Sequence, residues 1–185
     1  FLELTPLYER GGSPGDVLAD AAGIPRVNGF AETLNRLTPH LHRHQERATT
    51  AILAGRNVVV ATGTGSGKTE AFLYPILGYL YQEYLAGRLS AGVRALVLYP
   101  MNALANDQRD RLGELCKPLF VSEPGFQIRF GEYTGHTPEN ERDSYRNGAE
   151  RSRSRLPGEQ VFREEMQSQP PHILLTNYSM LEYML

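Results

Sequence analysis

Residues Val58 to Glu70 read VVVATGTGSGKTE. The opening Val58-Val59-Val60-Ala61 is β-branched and has no polar interruption, which predicts a strand buried on both faces of a parallel sheet. A glycine-rich turn follows at once. Gly63, Gly65 and Gly67 permit positive φ and a close approach of the backbone to a ligand, so that successive N–H groups can converge on one anion. Lys68 and Thr69 then open a helix, where free N–H groups and the positive dipole end favour phosphate. Lys68 brings a full charge for the β/γ-phosphates, and the Thr69 hydroxyl stands where a magnesium ion would be ligated. The stretch predicts a site for ATP and Mg²⁺ built from Thr62, Gly63, Thr64, Gly65, Ser66, Gly67, Lys68, Thr69 and Glu70, with Lys68 and Thr69 as its catalytic members.

The phosphate-loop pattern G-x-x-x-x-G-K-[ST] has one departure here, Thr62 in place of the first glycine. The order of strand, turn and helix is intact. A glycine-rich surface turn with no ligand would not need Lys-Thr at the helix start.

At 185 residues the chain has room for one α/β domain with a core and too little for two full ones. A hydrophobic content of 41% and a charged content of 22% are those of an ordinary globular protein. No apolar run approaches the roughly twenty residues of a membrane span, and no signal peptide opens the chain. The single cysteine, Cys116, rules out an internal disulfide framework and fits a reducing cytoplasm. The net charge of -2 provides no global basic field, so any nucleic-acid contact must be a local surface. Lys68 and Lys117 are the only lysines, the remaining cations being arginine.

Around the loop, helical and strand patterns alternate. Residues 1–38 are loosely patterned, with a turn at Gly11-Gly12-Ser13-Pro14-Gly15 and a short helix over Asp16 to Ala22 capped by Asp16. They read as an N-terminal extension, a lid or the end of a preceding domain, followed by one domain over 39–185. A helix is expected from Thr38 or Pro39 to Gly55, with Leu41, Ala48, Ile52 and Leu53 on its apolar face and Arg43, Gln45 and Glu46 outward or toward a cleft. Thr69 to Ala86 forms a long apolar helix with a kink at Pro75, its four tyrosines serving packing. A buried strand over Arg94–Tyr99 leads into a helix from Asn102 that ends near Pro118. Gln127–Tyr133 alternates as a more exposed strand, and His172–Thr176 is a fourth strand running into a final helix. Strand and helix in alternation specify an α/β fold, a mostly parallel sheet with helices on both faces, whose ligand site lies at the C-terminal edge.

Three further segments make a resemblance specific. His40-Leu-His-Arg-His-Gln45-Glu-Arg-Ala48 resembles the Q-motif of superfamily 2 helicases, in which a glutamine amide meets adenine with one donor and one acceptor. Tyr99-Pro-Met-Asn-Ala-Leu-Ala-Asn-Asp-Gln108 is similar to motif Ia, and Leu174-Leu-Thr-Asn-Tyr-Ser-Met-Leu181 to motif Ib, both of which hold nucleic-acid phosphates. Tyr133-Thr134-Gly135 stands where the family has a small backbone-contacting turn. Within the superfamily the wording most resembles the DEAD/DEAH-type Lhr-like and DUF1998-associated group, which includes repair helicases and the helicase subunit of the DISARM anti-phage system.

The resemblance implies a RecA-like P-loop NTPase lobe of an ATP-dependent helicase or translocase in genome maintenance or anti-phage defence. Gln45 would recognise adenine, and Pro100, Asn102, Gln108, Thr134, Gly135, Thr176 and Asn177 would contact nucleic acid, DNA rather than RNA. It implies a second RecA-like lobe in the same chain, an accessory subunit as a further partner, no membrane, and a cytoplasmic location. The Asp-Glu pair of motif II is absent from this sequence and is expected shortly after Leu185, so the lobe is read as truncated and as inactive on its own. Two other readings stay open: a P-loop ATPase that is not a helicase, and a nucleic-acid-binding platform with a vestigial nucleotide site.

The remaining features have bland readings beside the sharp ones. His40, His42 and His44 lack a cysteine partner and read as surface histidines before a zinc site. Arg142, Arg146, Arg151, Arg153 and Arg155 form the one basic run, a solvated loop or else a phosphate-contacting or autoinhibitory one.

Overall fold

The computed structural model describes residues 8–100, 102–146 and 155–184. The chain divides into two compact units, Phe1–Arg88 and Leu89–Leu185. The first is helical, with α1 (Pro14–Ala22), α2 (Gly29–Leu37), α3 (Arg43–Leu53) and α4 (Lys68–Leu85). The second carries β1 (Ala95–Tyr99), α5 (Asn102–Ser122), β2 (Phe130–Tyr133), α6 (Glu141–Arg146), β3 (Glu159–Gln160), α7 (Arg163–Ser168), β4 (Ile173–Asn177) and α8 (Tyr178–Met184).

In the first unit α1 packs on α2, α3 and α4, and α3 packs along α4. Helix α1 is capped by Ser13, one turn before the expected Asp16, and Gly23 closes it at φ 64. The Asp16 side chain instead accepts from the Ser13 hydroxyl at 2.7 Å. Helix α2 was not legible as a helix, yet Asn28 caps it through the Ala31 N–H at 2.7 Å and Phe30 stacks flat on Tyr81 of α4, ring centroids 4.1 Å apart. Gly78 of α4 makes room for this packing, since a Cβ there would come within 2.7 Å of Leu18. Of the four α4 tyrosines, Tyr74 and Tyr81 are buried, as their packing role requires.

Helix α3 starts at Arg43, later than Thr38 or Pro39. The reason is a strap: Gly11 and Leu41 exchange backbone bonds with Leu41 and Gly12 (2.7 and 2.9 Å), and Arg43 N donates to Glu9 O at 2.8 Å. Backbone paired this way is extended and cannot join a helix.

Val58-Val59-Val60 is not a strand. Val59 is 94% exposed, and no strand is formed by residues 58–60 among the described residues of the first unit. A β-branched run supplies propensity, but a strand also needs a neighbour's N–H and C=O groups, and the other elements of this unit are helices.

The second unit holds a four-stranded, all-parallel sheet in the order β1-β4-β2-β3, with helix α5 against β1, β4 and β2. The β2 region is more buried than expected: Phe126, Ile128 and Phe130 are fully enclosed while Gln127 and Arg129 between them turn outward. Strand β3 is short and lies just past the basic run Arg142–Arg155. Helix α5 runs through Pro118 to Ser122 instead of stopping there. The lost backbone bond is offset by the burial of Leu119 just past the proline, an apolar side chain adding about 1.5–3 kcal/mol. No helix among the described residues is long and apolar enough to cross a membrane.

Candidate nucleotide loop and nucleic-acid edge

The loop that closes on α4 is shaped by its glycines. Gly65 and Gly67 have φ of 74 and 72. At Gly67 the requirement is double, because a Cβ would also collide with the Gln45 amide and lie 2.9 Å from Glu70 Oε2. If the loop holds ATP, Gly67→Ala is expected to weaken its binding about tenfold by forcing both a left-handed conformation and a displaced Gln45. Calorimetric titration of the variant with ATP checks this.

Lys68, the first residue of α4, folds back over the loop: its Nζ donates to Thr62 O at 2.7 Å and Gly63 O at 2.5 Å. Ser66 is fully buried, and its hydroxyl meets that of Thr62 at 2.6 Å, which ties the loop across its base. Thr62 thus serves as a hydroxyl tie at the position where the pattern has glycine. Thr64 is exposed, and Thr69 is half-buried in the first turn of α4.

Gln45 does not face outward. It is 3% exposed, its Nε2 donates to Gly67 O at 2.8 Å, and its Oε1 accepts from His42 N at 2.7 Å. One amide thereby ties the start of α3 to the phosphate loop, keeping a second N–H and a second lone pair for another partner.

Beside it Tyr8, His42 and His44 form a ring cluster with centroids 5.3–5.7 Å apart. A Cβ on Gly63 would come within 3.3 Å of the Tyr8 hydroxyl. Burial, then the neighbouring His42, holds His44 below the usual imidazole range. Tyr8 escaped the sequence reading because nothing local marks a tyrosine so far upstream. Among the described residues no group of three or more His, Cys, Asp or Glu side chains is arranged to hold a metal ion. Cys116 is a buried core thiol, pushed up to about 12 by burial.

In the second unit β1, β4 and β2 are parallel neighbours in close register: Tyr99 pairs with Asn177, and Tyr133 with Thr176. Their C-terminal ends therefore share one edge of the sheet. Pro100 is exposed just past β1, Asn102 opens α5, and Gln108 is half-buried two turns on. Asn177 caps α8, accepting from Met180 N at 2.8 Å.

Two predicted contacts face inward instead. Thr176 is fully buried, and its hydroxyl donates to Tyr133 O at 2.6 Å. Thr134 is 1% exposed: its N–H donates to Thr137 Oγ1 at 2.9 Å, and its Oγ1 accepts from His136 N at 3.3 Å. Both brace the turn, whose Gly135 is exposed.

The sequence profile of the DEAD/DEAH box helicases matches residues 42–185. The chain belongs to this family. Druantia protein DruE of Escherichia coli (strain UMEA 4076-1) is 30% identical in an alignment that covers all of this helicase chain and 14% of that protein. ATP-dependent helicase Lhr-Core of Sulfolobus acidocaldarius is 31% identical over 80% of the chain and 14% of its own length. Among solved structures, the DUF1998 helicase MrfA bound to DNA superposes with a TM-score of 0.62 at 24% identity, over 94% of this chain and 19% of that one. Mycobacterium smegmatis Lhr bound to ssDNA and AMP-PNP gives 0.56 at 24% identity over 82% and 17%. The helicase chain thus spans about a seventh of the length of these curated relatives. The structural likeness places the fold with helicase RecA-like lobes.

Proposed function

We propose that this chain is part of the first RecA-like lobe of an ATP-dependent DNA helicase or translocase working in genome maintenance or anti-phage defence. The observation that carries the reading is Lys68, which opens α4 with its ammonium over the Thr62 and Gly63 carbonyls, in a chain of the helicase family. The loop fits a triphosphate. Its two positive-φ glycines, the cation and the helix start form a donor set for an anion, and the Thr69 hydroxyl sits in the first turn for Mg²⁺. Bound ATP with Mg²⁺ would supply the phosphoryl group whose transfer to water drives the motor.

Gln45 would meet the adenine edge with its remaining N–H and lone pair while keeping the loop closed through Gly67. Gln45→Glu, which removes both N–H donors, is expected to weaken ATP binding about tenfold and erase any preference for ATP over GTP. Competition between the two nucleotides reads both effects.

Pro100, Asn102, Gln108, Gly135 and Asn177 would lie along one strand of nucleic acid, holding its phosphates. DNA is favoured over RNA because the neighbours MrfA and Lhr are described as bound to DNA and to ssDNA. A second RecA-like lobe closing over the nucleotide would complete the site and alter the grip on that strand. The test is strand displacement by the full-length protein from a duplex with a single-stranded tail. Release that requires both ATP and Mg²⁺ is expected. Binding without any release would favour a platform, and hydrolysis indifferent to nucleic acid a P-loop ATPase of another kind.

A further inference from the structure

We propose that Arg163 is the positioning residue of the turn Tyr133-Thr134-Gly135, holding it in the shape that offers Gly135 to a backbone phosphate. The proposal rests on the reading of the sheet edge as a nucleic-acid surface. Arg163 opens α7, at the end of the arginine-rich stretch whose members Arg151 and Arg153 lie outside the described residues. Its Nη2 donates to Thr134 O at 2.8 Å, and its guanidinium carbon lies 5.3 Å from the centroid of the Tyr133 ring.

One planar cation therefore grips two successive residues of the turn, the ring by its face and the carbonyl by its edge. Arg163 is anchored in turn by its own N–H, which donates to Pro138 O at 3.0 Å, and its side chain is 23% exposed. Glu139 lies 4.0 Å from Nη1, which orients the guanidinium further.

The other fixings of the turn are neutral. Thr137 Oγ1 bridges the Thr134 N–H and Glu132 O, and Thr176 holds Tyr133 O from the neighbouring strand. They brace the strand end, whereas Arg163 ties the turn to α7. An ammonium cannot take over both contacts, since it has no flat face to lay on the Tyr133 ring while a separate arm donates to the Thr134 carbonyl.

The experiment follows ATP hydrolysis by the full-length protein as single-stranded DNA is titrated in, for the unsubstituted protein, Arg163→Ala, Arg163→Lys and Tyr133→Leu. The half-saturating DNA concentration is expected to rise about tenfold in both Arg163 variants, the loss of one charged hydrogen bond, and less in Tyr133→Leu. The KM for ATP and the DNA-free rate should stay at their original values. A merely structural loss would lower the DNA-free rate together with the melting temperature. Arg163→Lys with unaltered DNA affinity would overturn positioning in favour of a direct phosphate contact. Unaltered affinity in Arg163→Ala would overturn any role, and should that variant fail to fold, Arg163→Lys and Tyr133→Leu still decide. Unsubstituted protein whose hydrolysis ignores DNA would overturn the helicase reading itself, a separate outcome.

Discussion

Lys68→Ala in the intact protein is expected to lower ATP hydrolysis at saturating nucleic acid by at least about a hundredfold, the scale of removing one group aimed at developing charge. The physical argument starts from the loop. Two carbonyl oxygens, those of Thr62 and Gly63, converge on the Lys68 ammonium. With the ammonium gone they present bare partial negative charge in the loop that would receive the β- and γ-phosphates, so the substitution removes an attraction and uncovers a repulsion. Lys68 is exposed, so the fold should lose no more than about 0.5 kcal/mol. Nucleic-acid binding should persist, because the residues assigned to it belong to the unit Leu89–Leu185. Steady-state hydrolysis and a DNA-binding titration on the same preparation check both halves. A platform with a vestigial loop would keep all its activity in this variant.

The second large effect is on stability. Arg109 of α5 and Glu159 of β3 are 4% and 6% exposed and form a two-pronged pair: Nε meets Oε1, and Nη2 meets Oε2 at 2.7 Å. Glu159 Oε2 also accepts from Leu156 N at 2.9 Å. Removing Arg109 leaves the Glu159 carboxylate buried without its countercharge, whereas after removal of Glu159 the guanidinium keeps its contact with Asp110 Oδ1 at 2.7 Å. Arg109→Ala is expected to cost about 3–5 kcal/mol, a large share of the roughly 5–15 kcal/mol that holds a domain together. The double substitution Arg109→Leu with Glu159→Leu should recover most of it, since two apolar side chains carry no stranded charge. Denaturant unfolding of the unsubstituted protein, Arg109→Leu, Glu159→Leu and the double variant closes a double-mutant cycle that measures the coupling. A single substitution costing under about 1 kcal/mol would mean that water enters this part of the sheet.

These two residue pairs also mark what the sequence could and could not reveal. Lys68, the glycines and the strand–helix alternation of the second unit were legible because each rests on local chemistry: a φ only glycine adopts readily, a charge at a helix start, a period of apolar residues. Arg109 and Glu159 were not, because their partnership spans fifty positions and either residue alone looks like a surface charge. The valine run failed differently. Its β-branching is real, but a strand is a property of two segments, and among the described residues of its unit the exposed Val59 has no second beside it.

Thr134 and Thr176 were expected to contact nucleic acid, and the fold buries both side chains. Motif position brings a residue to the sheet edge, while the pleat of β4 turns Thr176 inward and the bend after β2 turns Thr134 inward. Gln45 shows the reverse. Its motif marked it for a ligand, and the fold adds a second use, the tie to Gly67. Arg163 sat unremarked at the border of a charge run because the turn it grips lies twenty-nine positions away.

The most direct measurement is the rate of ATP hydrolysis by the full-length protein with and without single-stranded DNA. A rate that rises severalfold with DNA, and that falls to background in Lys68→Ala under both conditions, is the predicted result. Equal rates with and without DNA, or a Lys68→Ala protein as active as the original, would contradict it.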